Sequence, residues 1–363
     1  MKSVTAEQDL MFRILAGEAV SLPLGFDPSV FILLLQRHKL LPLAELVLPE
    51  LPDAVKTEFK SQLVAWAARS MLLFEELKTI TQVAVEHQFD LISVKGPVLS
   101  YQLFGNVHGR YYTDLDIILA PAKLFDFVRL LESKGYVMRV PNGIEGAPDW
   151  KEHAKFNNDI VLVNRAKNIS LEVHFGIHIE QLLGEKEAAL ILSDPEILSI
   201  EGKDFLCLGK EENFLYLCLH ASKHMFFRLN WLRDIAEYLR VVETDHAKVL
   251  ILAEKSGLDK ILALSLKLVS THFGESIVPS EYADLLQRYK LRAVLRWSDT
   301  IIKGPGELVY EGFFRLRKKQ EQIKGIDKVT FRHFLVQIGY LLALRKGFRR
   351  KMHFLFYQFR KRT

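Results

Sequence analysis

The chain has 363 residues, 49% of them hydrophobic and 26% charged, which is the balance of a soluble globular protein with room for two or three domains and excludes a disordered or fibrous chain. Lys and Arg number 49 against 44 Asp and Glu, and a net charge of +5 is too mild to indicate nucleic acid by itself. The only cysteines, Cys207 and Cys218, lie in the apolar runs FLCLG and LYLCLH; they read as core, exclude a disulfide framework and imply a reducing, cytoplasmic setting.

Residues 5 to about 88 carry apolar positions at spacings of three and four, broken at Pro42 and at Leu51-Pro52-Asp53, and predict a helical region. From Asp90 to Gly96 the pattern changes to a short apolar run without helical period. Pro97 then suits a first helical turn, so Lys95 and Gly96 fall at a strand-to-helix junction. Thr113 to Leu119 reads as a strand, Pro121 to Gly135 as an amphipathic helix, and Tyr136 to Val140 as a strand. After the turn-rich PNGIEGAPDW come strands at Asp159 to Asn164 and Ile169 to Phe175. From Glu211 the pattern is helical again, through EENFLYLCLHASKHMFFRLNWLRDIAEYLR and on to helices at Val249 to Lys255, Lys260 to Thr271 and Tyr282 to Arg292. The class expected is α+β: a small mixed sheet over residues 86–208, between an N-terminal helical region, 1–85, and a C-terminal helical region, 209–363.

Asp114 and Asp116 stand at i and i+2 on the strand at Thr113 to Leu119, and a period of two puts both carboxylates on one face. They flank Leu115 and precede Ile117-Ile118-Leu119, so they begin a core strand, where two unpaired carboxylates are costly without a cation. Nucleotidyl and phosphoryl transfer need this arrangement. Little covalent chemistry is asked of the protein, but Mg²⁺ ions must be held by clustered carboxylates, two from one strand and one from a neighbour. Glu172 meets the third requirement if its strand is adjacent; His174 shares its face. Lys95, ahead of a helix N-terminus, is placed to meet a triphosphate.

The runs VKGPVL, GRYYTDLDIIL, SLEVHF and LCLHASKHMFFRLNWLRDIA occur in that order between residues 91 and 240, preceded by LLLQRHKLLPLAELVL. Together they resemble the uncharacterised nucleotidyltransferase family of the DNA polymerase β-like superfamily. Its pattern is a strand ending in Lys-Gly, an Arg four residues before Asp-x-Asp, a carboxylate-x-His-aromatic strand and a helical His-x-x-x-His block. The resemblance implies that Asp114, Asp116 and Glu172 are the catalytic metal ligands for two Mg²⁺ ions, with Mn²⁺ as the alternative. It makes Lys95-Gly96 the counterpart of the superfamily's Gly-Ser phosphate turn, although the usual Ser is absent. Arg110 fills the family's Arg position, as a phosphate contact or as a brace for the acidic strand. The reaction implied is transfer of AMP from ATP to a hydroxyl or phosphate of a small molecule or peptide, with loss of pyrophosphate.

His220 and His224 share a helix face with Lys223 and Arg228 nearby, and the resemblance supports a basic face that meets nucleotide or acceptor phosphate. Zinc is not expected, since the glutamate of HExxH is missing. The segment from Arg345 to Thr363 holds eight Lys/Arg and no acid, interleaved with five aromatic residues. It reads first as a protein or packing contact, second as a membrane-surface patch and last as a nucleic-acid surface. No leader-like apolar run opens the sequence, and Phe334 to Leu344 falls short of the ~20 residues of a spanning helix, so any membrane contact is expected to be peripheral. The alternatives are a phosphotransferase using the same carboxylates and a non-catalytic partner-binding module.

Overall fold

The computed structural model describes residues 5–140, 158–176 and 185–303. PNGIEGAPDW, the apolar stretch at Phe334 to Leu344 and the basic segment at Arg345 to Thr363 lie outside the described residues. In chain order come helices α1 (Ala6–Leu15), α2 (Pro28–Arg37), α3 (Ala44–Val47) and α4 (Asp53–Glu86), then strand β1 (Ile92–Val94) and helix α5 (Gly96–Phe104). Strand β2 (Leu115–Ile118), α6 (Leu124–Glu132), β3 (Val137–Val140), β4 (Asp159–Asn164), β5 (Ile169–His174), α7 (Glu185–Ile191), β6 (Pro195–Ile200) and β7 (Lys203–Leu208) follow. The rest is helical: α8 (Lys210–Lys223), α9 (Leu229–Val241), α10 (His246–Ser256), α11 (Asp259–Phe273), α12 (Ala283–Arg288) and α13 (Arg292–Lys303). Among the described residues no helix is long and apolar enough to cross a membrane.

By its contacts the chain divides into two compact units. The first joins Leu51–Asn213 to Val241–Thr244, and the second takes up the described parts of Met1–Glu50, Phe214–Arg240 and Asp245–Thr363. The first unit is built on a seven-stranded mixed sheet in the order β3-β4-β5-β2-β1-β7-β6, so the α+β class expected from sequence holds. β2 runs antiparallel to β1 and parallel to β5, and its four residues LDII are all buried. The hairpin β6–β7 adds two strands beyond those expected; β7 pairs parallel with β1. Its two-residue turn is Glu201-Gly202, with φ of 50° and 75°, the left-handed pair that a tight hairpin requires. Helix α4 lays Phe59, Leu63, Trp66, Ser70, Leu73, Leu77, Ile80 and Ala84 inward at helical spacing, and Phe74 packs its ring 5.8 Å from that of Phe205 on β7.

In the helical unit, α1 opens with a capping box between Thr5 and Gln8 and α2 with the Asp27 side chain accepting from two backbone N–H groups. His38, 1% exposed, accepts the N–H of Leu229 at Nδ1 (3.3 Å), and its carbonyl accepts the N–H of Asn230 (3.2 Å). The helix expected through residues 211–240 is interrupted between α8 and α9, where Met225 and Phe226 adopt φ of 54° and 55°. The helix expected over Tyr282 to Arg292 stops at Arg288. Tyr289 is extended instead (φ −111°, ψ 115°), its carbonyl taken by Lys267 Nζ at 2.6 Å and its hydroxyl by Asp259. These tertiary bonds override a local helical pattern.

Candidate functional site

Asp116 sits near the middle of the sheet, between Leu115 and Ile117, both fully buried. The parallel register sets it opposite Glu172 of β5, and the antiparallel register sets it opposite Val94 of β1. Glu172 and His174 are two apart on β5 and so share its face. On the other side, the residue after Val94 is Lys95, whose Nζ lies 2.6 Å from Asp116 Oδ1. His174 Nε2 lies 3.2 Å from that same oxygen and 3.8 Å from Glu172 Oε2.

Burial alone would raise the Asp116 pKa, but the Lys95 charge and then the His174 contact outweigh it and hold the carboxyl below the ordinary range. Glu172 goes the other way. Burial, then the negative charges of Asp116 and Asp114, push its carboxyl up to about 7 against the opposing pull of His174 and Lys95. A crowded pair of acids in which one is ionised and the other is held back is the electrostatic setting that a cation relieves.

Asp114 precedes β2 and is half-buried; it is near enough to repel Glu172 but is not one of the three groups that converge. The loop that delivers it is rigidly built. Asn106 Oδ1 accepts the N–H of His108 at 3.0 Å, the Trp66 indole donates to the His108 carbonyl at 3.0 Å, and the Tyr112 hydroxyl donates to the Val107 carbonyl at 2.6 Å. Trp66 stacks on Tyr111 with ring centroids 4.3 Å apart. Gly109 has no room for a side chain, since a Cβ there would stand 2.5 Å from Phe104 Cβ. Arg110 is buried in this loop, its N–H donating to Ser100 Oγ at 3.1 Å, and it holds the loop together at its backbone. Gly96, at φ 48°, opens α5 behind Lys95.

His220, Lys223, His224 and Arg228 belong to the helical unit, where His220, His224 and Arg228 gather about Trp231. The His224 ring stacks on Trp231 at 4.8 Å, His220 meets Trp231 edge-on at 5.5 Å, and the Arg228 guanidinium lies 4.9 Å from the Phe227 ring centre. Burial pushes the Cys207 and Cys218 thiols up to about 12, as inert core residues.

The donor set decides which ligand the site can take. Asp116, Glu172 and His174 offer ligand atoms within 4.8 Å of one another, two hard oxygens and an imidazole nitrogen, which fits a divalent cation. His174 joins the carboxylates here although sequence reading gave it only a place on the same face; the signal was its spacing of two from Glu172.

No curated protein gives a significant match to the chain. The profile of an uncharacterised nucleotidyltransferase family matches residues 25–274, a span that takes in both carboxylate strands, the Lys95-Gly96 turn and the His220 to Asp234 block. That match covers well over half of the sequence, and the chain belongs to this uncharacterised nucleotidyltransferase family.

Proposed function

We propose that the protein moves a nucleotidyl group, AMP from ATP, to a hydroxyl or phosphate of a small-molecule or peptide acceptor and releases pyrophosphate. The observation that supports this best is the pairing of Asp116 with Glu172 across parallel strands, with Lys95, just past the end of the next strand, beside Asp116. Asp116, Glu172 and His174 would hold a divalent cation, Mg²⁺ or Mn²⁺, and Asp114 would supply a carboxylate toward a second. Such ions, when bound, neutralise phosphate oxygens and favour the attacking oxygen as nucleophile.

The share left to the chain is positioning. Lys95 and the N-terminal turn of α5 form a cationic, donor-bearing end for the triphosphate, with Gly96 letting the backbone approach closely. Glu172 orients the acceptor oxygen. The acceptor oxygen bonds to the α-phosphorus while the bond from that phosphorus to the bridging oxygen breaks; the acceptor proton passes to solvent and pyrophosphate leaves. The setting proposed is the cytoplasm, with the segment from Arg345 to Thr363 as a contact for a protein or a membrane surface.

The test is incubation of the protein with Mg²⁺, an extract of its own cell and ATP labelled at either the α or the γ phosphate. Acceptor labelled only from the α position, and no label with Asp116→Asn, is the expected result. Label from the γ position alone would assign phosphoryl transfer to the same carboxylates, and label from neither would remove the enzymatic reading.

A further inference from the structure

Lys95 holds a backbone conformation that its residue type disfavours. At φ 55°, ψ −143° it borders a region occupied almost only by glycine, and a long side chain persists there only where its surroundings dictate it. A glycine would relieve the backbone, so what position 95 supplies is the side chain. Lys95 is 7% exposed, and its ammonium donates to Asp116 Oδ1, the oxygen that His174 Nε2 also approaches. The Asp116 oxygen that the His174 ring approaches is thus already covered by a cation of the chain's own.

We propose that Lys95 gates the metal site, neutralising Asp116 while the site lacks a divalent cation and being displaced from Oδ1 when one binds. This rests on the reading of Asp116, Glu172 and His174 as metal ligands. An ammonium and a divalent ion on one carboxylate oxygen would repel each other strongly in a buried setting, so one must leave. The ammonium is the mobile partner, on a flexible four-carbon stem with three donors. Once released it is available to the anionic ligand that accompanies the cation. Cation and nucleotide then bind with positive coupling, because each removes a cost that the other would otherwise meet.

The experiment is a Mn²⁺ titration of the full-length protein without nucleotide, read by the electron paramagnetic resonance of free Mn²⁺, for wild type, Lys95→Gln, Lys95→Gly and Asp116→Asn. Gln keeps a neutral donor for Asp116, and Gly relieves the backbone, so at least one is expected to fold, as checked by circular dichroism. Loss of the ammonium should tighten Mn²⁺ binding by about tenfold, within the usual range of coupling between sites. Asp116→Asn should abolish it. Unchanged or weaker affinity in the folded Lys95 variants, with Asp116→Asn still defective, overturns the gate and leaves the metal site standing. Equal binding by wild type and Asp116→Asn, or none by any variant, overturns both.

Discussion

Two carboxylates of the sheet unit are buried to the same degree and each faces a lysine, yet they are built for different ends. Glu76 of α4 has its oxygens assigned one apiece: Tyr136 donates its hydroxyl to Oε1 at 2.8 Å, and Lys167 reaches Oε2 at 2.6 Å from a half-exposed position. Asp116 takes Lys95 and His174 on the same oxygen and has a second acid, Glu172, directly across the strand pair. The first arrangement is a closed one, in which a buried charge meets its hydrogen-bonding capacity and ties α4 to the sheet. The second keeps three titratable groups crowded around one point, at a cost in stability that a purely structural site has no reason to bear. A buried salt bridge alone therefore carries no argument for a functional site; the crowding of like charges beside it is what supports the role proposed for Asp116 and Glu172.

The sharpest way to break this contrast is to neutralise each acid in turn. Asp116→Asn should lower nucleotidyl transfer by about 10³-fold or more, near 4 kcal/mol of transition-state stabilisation, and should also cost thermal stability, because the buried Lys95 ammonium loses its carboxylate. Glu172→Gln should fall in the same class. Glu76→Gln should differ in sparing the activity. It should destabilise by about 1–3 kcal/mol, since it removes the charge that Lys167 and Tyr136 answer, and leave kcat within a few-fold of wild type. Thermal unfolding measured beside label transfer separates the two, and a catalytic defect in Glu76→Gln would erase the distinction. A loss of stability of similar size, roughly 1–3 kcal/mol, is expected of Gly109→Ala, because the methyl group must push the loop that carries Asp114 away from Phe104 of α5. Both stability and activity should drop there.

Much of the site could be read from spacing alone. Asp116 stands at the start of an apolar core strand, and Glu172 and His174 follow the period of two on theirs, so these three were visible in the sequence, whereas Asp114, expected on the same strand as Asp116, precedes it. Their convergence was not, because the parallel pairing of β2 with β5 is a long-range event that no local pattern encodes. Lys95 carried a signal as the residue before a Gly-Pro helix start, but its ion pair with Asp116 follows from the antiparallel β1–β2 register. The β6–β7 hairpin had a signal that went unused: two short runs, PEILSI and KDFLCL, separated by the two residues Glu201-Gly202. Left-handed Met225 and Phe226 had none, since neither residue type favours that conformation and only packing within the helical unit imposes it. The same holds for the extended Tyr289, whose polar groups are claimed by Lys267 and Asp259.

The contrast between closed and crowded polar centres extends to the histidines. His174 lies among carboxylates, whereas His38 of the helical unit is buried against cations. Burial, then the charges of Arg37, Arg228 and His272, push its pKa down to about 3. The neutral ring is also what its hydrogen bond needs, since Nδ1 accepts the Leu229 N–H and a protonated ring could not. A base whose folded pKa lies below its unfolded value near 6.5 stabilises the fold above that value, because the unfolded chain binds the proton first as the pH falls. The contribution is therefore complete near neutrality and is lost progressively from about pH 6.5 down toward 3. Between pH 6.5 and 4.5 it amounts to roughly 2–3 kcal/mol. His38→Asn, whose side-chain oxygen can accept the same N–H without titrating there, should show a shallower fall in unfolding midpoint over that range than wild type. Parallel pH profiles for the two proteins would mean that His38 is not held neutral by its surroundings, and the helical unit's polar joint would then be no more closed than the crowded centre at Asp116.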